Sequence, residues 1–117
     1  MYAKIRLYNE FKGTIHSVSV PTWGANENEA TENVKKMVEN WQGITSFSIL
    51  KISRQPILID KFFVETELYY RNGSARTIKL NLTAETEQEA REISEEIIKC
   101  WNKSIYSHRV VRAGLRG

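Results

Sequence analysis

Six stretches of this chain read as strands, three of them (residues 2–8, 14–20 and 74–82) alternating apolar and polar residues with a period of two, and two stretches carry apolar residues at helical spacing. Residues 2–8 read as a strand, with the β-favouring Tyr2, Ile5, Leu7 and Tyr8. Asn9 to Gly13 reads as a turn, and residues 14–20 alternate again with Val18 and Val20 on one face. Pro21 ends that strand because it has no N–H to give to a ladder. A helix is expected from Asn26, an N-cap residue with Glu29 at the capping-box spacing. Ala30, Val34, Met37, Val38 and Trp41 form its apolar stripe, and Gly43 is the expected left-handed stop. Residues 44–52 read as a third strand.

The same order then recurs. Residues 58–70 read as a long strand, Asn72-Gly73 as a tight turn and residues 74–82 as the returning strand. Thr86 is placed to cap a second helix with Glu89 at the capping-box position. Its stripe is Ala90, Ile93, Ile97, Ile98 and Trp101. Residues 104–112 read as the last strand, and Ala113 to Gly117 as a mobile tail.

The recurrence is a repeat at an offset of sixty residues. Gly13 matches Gly73, Glu27 matches Glu87, Glu29-Ala30 match Glu89-Ala90, Glu32 matches Glu92 and Trp41 matches Trp101. No gap is needed between the hairpin turn and the helix end. The expected fold is therefore α+β: an internally duplicated ββαβ-ββαβ chain, with a six-stranded, mostly antiparallel sheet and two helices on one face. Residues 1–56 and 57–117 are the two repeats of a single expected domain. Each alone is small for an independent core, so the two are expected to share one.

Composition narrows the class. At 117 residues, 41% hydrophobic and 26% charged, this is an ordinary globular chain. Its first residues are too polar for a signal peptide, and no run is long and apolar enough for a membrane helix. Cys100 is the lone cysteine, so no internal disulfide can form, and a cytoplasmic setting is expected. The net charge is only +3, but it is segregated. Residues 85–96 hold six glutamates and one arginine, whereas residues 103–117 hold four Lys/Arg and no acid.

Catalytic signatures are absent. His16 and His108 are the only histidines and Asp60 the only aspartate, too few for a serine triad, a zinc site or a two-metal carboxylate site. There is no Walker-type or dinucleotide glycine loop. Glu65 and Glu67 lie two apart on one strand face, which reads as a polar exposed face before it reads as a catalytic pair. Trp41 and Trp101 read as core plugs at the helix ends. The expectation is a non-enzymatic binding or regulatory protein that works without a cofactor.

Two surfaces can carry binding. Tyr2, Lys4, Arg6 and Tyr8 share one face of the first strand, and interleaved aromatic and basic groups suit stacked bases and phosphates. Lys79 extends that set, and Lys103, His108, Arg109, Arg112 and Arg116 form a basic terminal segment. Nucleic acid is the first expected partner. The alternative is a protein partner of a small inhibitor or adaptor of phage accessory type, held through a sheet edge or the acidic helix at Glu85, Glu89, Glu92 and Glu96. The apolar start of the long strand, with Phe62, Phe63 and Val64 pointing both ways, adds homodimerisation as a third expectation.

Overall fold

The computed structural model describes residues 1–101 and 104–116; the side chain of Trp101 lies outside that description. The chain divides into two compact units, Met1–Ile59 and Asp60–Gly117. The first holds β1 (Tyr2–Asn9), β2 (Thr14–Pro21), α1 (Glu27–Glu39) and β3 (Ser46–Ser53). The second holds β4 (Asp60–Tyr70), β5 (Ala75–Ala84), α2 (Glu87–Trp101) and β6 (Ile105–Leu115). The α+β class, the duplication and the ββαβ order are as the periodicity predicts. The strands, however, form two three-stranded sheets, ordered β2-β1-β3 and β5-β4-β6, instead of one sheet of six. The reason is local. Each central strand, β1 or β4, finds antiparallel partners on both sides within its own repeat.

In the first unit, β2 and β3 run parallel to each other on opposite sides of β1. Helix α1 carries the chain from one edge to the other. Its stripe, Val34 and Val38, packs with Ala3 and Ile5 of β1, and Val18, Val20, Phe47, Ile49, Ile52 and Trp41 close around them. Each fully buried aliphatic side chain of this kind contributes about 1.5–3 kcal/mol. In the second unit, Phe62, Val64, Thr66 and Leu68 alternate as the buried face of β4, and Ala90, Ile93, Ser94, Ile97 and Ile98 are the buried residues of α2.

Caps set where the helices begin. The Glu29 N–H donates to Asn26 Oδ1 at 2.9 Å, and the Glu89 N–H donates to Thr86 Oγ1 at 3.1 Å. Helix α1 ends before the predicted stop: Asn40 is its C-cap, in right-handed conformation, and Gly43 (φ +79°) turns the loop beyond it. The tight turn expected at Asn72-Gly73 is a three-residue loop, Arg71 to Gly73. The Tyr70 N–H donates to the Ser74 carbonyl at 2.9 Å and the Gly73 N–H to the Tyr70 carbonyl at 3.0 Å. Gly73 alone in it has positive φ (+88°), so this is a type I turn closed by a left-handed glycine. The expected C-terminal tail is also corrected. Ala113, Gly114 and Leu115 pair with Val64, Phe63 and Phe62, so β6 runs on to Leu115.

The registers refine the repeat. Lys4 pairs with Lys51 and Ile5 with Ile49, leaving Leu50 as an extra bulge residue; Glu65 pairs with Arg112 and Thr66 with Val110, leaving Val111. The central and last strands therefore correspond at an offset of sixty-one, and the hairpin turn and helix at sixty. The first hairpin loop (residues 10–13) is one residue longer than its counterpart (residues 71–73), and the stretch from helix to last strand is one residue longer in the second repeat.

A backbone approach fixes the β2–α1 connector. A Cβ on Gly24 would lie 2.6 Å from the Ala30 backbone nitrogen, so no larger residue fits without moving the helix start. Thr86→Ala is expected to lower unfolding stability by about 1 kcal/mol, with Thr86→Ser retaining most of it. Gly24→Ala is expected to cost more than the lost cap. Urea midpoints of the three variants test this order.

Candidate binding face

The face of β5-β4-β6 turned away from the buried one is built in cross-strand rows. One row is Lys79, Glu65 and Arg112; the next is Thr77, Glu67 and Arg109. Arg112 donates to Glu65 Oε1 at 2.6 Å, and Arg109 donates to Glu67 Oε2 at 3.1 Å. The carboxylates sit deeper, with side chains 23% and 29% exposed, and the guanidiniums sit outside them at 62% and 68%. The hydrogen bond to Glu67 raises Arg109 above its ordinary pKa, and Tyr69 acts in the same direction, so this cation stays charged at physiological pH.

Phe63 lies at one end of these rows. Lys79 Nζ is 4.9 Å from its ring centroid and the Arg112 guanidinium 5.2 Å. Gly114 lies directly opposite on β6, where an added Cβ would make ordinary van der Waals contact with the ring at 3.4 Å. Two cations of its own unit thus lie over the ring of Phe63, which stays half-buried. Tyr69 closes the other end of the rows, half-buried.

The predicted nucleic-acid residues are divided between the two units. Tyr2, Lys4, Arg6 and Tyr8 do share a face of β1, but Lys4 is buried (7% exposed) and the other three are half-buried. Lys79 belongs to the other sheet. His108 pairs with Leu68 on the buried-face side of β6, opposite to Arg109. Arg116 follows β6 and is exposed, its N–H donating to the Lys61 carbonyl at 2.8 Å. Lys103 lies outside the described residues. What links Arg109, Arg112 and Lys79 is Glu65 and Glu67, whose spacing in sequence predicts only a polar exposed face.

The acidic helix is less uniform than its sequence. Glu87 pairs with Arg91 at 3.8 Å and Glu95 with Lys99 at 3.5 Å. Glu92 and Glu96 lie on the exposed side, Glu89 is half-buried in the first turn, and Glu85 is half-buried ahead of the helix. The edges differ as well. Strand β6 carries register shifts that leave Tyr106 (72% exposed) and Val111 (53%) as extra outward residues, which blunts it. Strand β5 is unbulged over its ladder with β4. Among the described residues no three of His, Cys, Asp and Glu come together as a metal ion would need, and no helix is long and apolar enough to cross a membrane. Compared with known proteins, the chain matches no family, and no curated protein matches its sequence.

Because both partners reach solvent, the Glu65–Arg112 pair is expected to be weak. A double-mutant cycle with Glu65→Gln and Arg112→Ala should give a coupling below about 1 kcal/mol that shrinks further in high salt. Urea unfolding of the four proteins at two salt concentrations measures it.

Proposed function

We propose that this is a non-enzymatic binding protein whose partner is another protein, met on the open face of β5-β4-β6. One observation carries the reading: each arginine of that face is already matched by a carboxylate on the adjacent strand, Arg112 by Glu65 and Arg109 by Glu67. With Lys79 the rows hold three cations and two anions, a net of one positive charge. Affinity for nucleic acid grows with the number of phosphates neutralised, and here the acids oppose every approach of a phosphate. A mixed array bounded by Phe63 and Tyr69 suits instead a protein surface with its own charges of both signs. The reading includes a cytoplasmic setting, supported by one exposed free cysteine, and needs no cofactor.

Nucleic acid remains the second reading, favoured by the ring of Phe63 beneath two cations, a pairing that also serves stacked bases. Fluorescence anisotropy with labelled single- and double-stranded oligonucleotides at low and near-physiological salt separates the two. The expected result is no saturable binding at low salt. Saturable, salt-sensitive binding that is lost in Arg109→Ala/Arg112→Ala overturns the protein reading. In affinity capture, proteins retained by the wild type should be lost from Phe63→Ala/Tyr69→Ala and kept by Glu92→Lys/Glu96→Lys. The reverse pattern moves the interface to α2.

A further inference from the structure

The two cores differ at several matched positions, Ala3 against Val64 and Val38 against Ile98 among them, and at two of these an apolar residue gives way to a hydroxyl. At the strand offset of sixty-one, Ile5 corresponds to Thr66; at the helix offset of sixty, Val34 corresponds to Ser94. All four side chains are fully buried, at 0% exposure. In the first unit the two positions belong to one apolar cluster, strand against helix. In the second unit both hydroxyls, Thr66 Oγ1 and Ser94 Oγ, are buried with no hydrogen-bond partner. A helical serine ordinarily bonds back to the carbonyl one turn earlier, and Ser94 does not. An apolar pair has thus been exchanged for a polar pair on both sides of one helix–strand interface.

The consequence concerns opening. A buried hydroxyl without a partner loses its bonds to water on closing and regains them when the interface parts. Each such group biases the local equilibrium towards the open state by roughly tenfold relative to an apolar group of the same shape. The bias falls on α2 and not on α1, whose counterparts gain from burial. We propose that α2 is a releasable element: the second unit opens locally by lifting α2 from β4 while the first unit stays closed. Opening uncovers Ile93 and Ile97 on the helix and Val64 and Leu68 on the sheet, an apolar surface hidden in the closed state. This does not depend on which partner the open sheet face takes.

Hydrogen exchange followed by mass spectrometry on the full chain tests it. In the wild type the α2 amides are expected to exchange roughly tenfold or more faster than those of α1, after correction for intrinsic rates. Installing the first unit's pair, Thr66→Ile with Ser94→Val, should slow α2 by roughly tenfold or more and leave α1 unchanged. Thr66→Val with Ser94→Ala, which adds no volume, should slow α2 in the same direction and guards against overpacking by the larger pair. Equal protection of the two helices in the wild type overturns the proposal. So does a volume-neutral variant that slows both helices alike or neither, since the hydroxyls would then act on global stability or on nothing.

Discussion

Each unit depends on the docking of one helical stripe against the central strand of its sheet. A three-stranded antiparallel sheet has one face that must leave water, and a single amphipathic helix is wide enough to cover it. In the first unit Val34 and Val38 meet Ala3 and Ile5, and all four are almost completely buried. The rest follows from that contact. The helix has to cross from one edge strand to the other, so β2 and β3 flank β1. The capped start at Asn26 and the close approach at Gly24 then place the first helical turn over the sheet.

Duplication copied this frame with unusual fidelity, down to the bulge that expels Leu50 in one unit and Val111 in the other. The face away from the helix diverged, as the core did at Thr66 and Ser94. Lys4 and Arg6 of β1 stand where β4 has Glu65 and Glu67, while Lys51 corresponds to Arg112. In the first unit like charges are therefore cross-strand neighbours at Lys4 and Lys51, and in the second the corresponding neighbours are opposite. A bulge outlasts such exchanges because register sets every side chain of a strand, whereas a surface charge is free to change sign once the frame is held. The two copies thus present different chemistry on one scaffold.

Much of the fold was legible from contiguous residues. The stripe from Ala30 to Val38, the capping residues Asn26 and Thr86, and the strand alternations each lie within a few residues of one another, and local periodicity reports burial directly. Boundaries were less legible where composition resembled a loop. Ala113 and Gly114 read as tail, yet they pair with Val64 and Phe63 of β4. The candidate face was scarcely legible. Arg109 and Arg112 form a run without acids in sequence, and their carboxylates lie 42 and 47 residues away.

By itself, then, the sequence determined the element types, their order, the duplication and which stripe of each helix turns inward. Those properties depend on side-chain period, and a period is a local quantity. Only the tertiary structure decided that the strands divide into two sheets, that Lys4 is buried, that His108 and Arg109 lie on opposite faces and that Glu65 and Glu67 sit against arginines. Each of those outcomes is set by strand register. Register depends on loop lengths, bulges and pairing between distant segments, and a shift of one residue would have turned every one of those side chains to the other face.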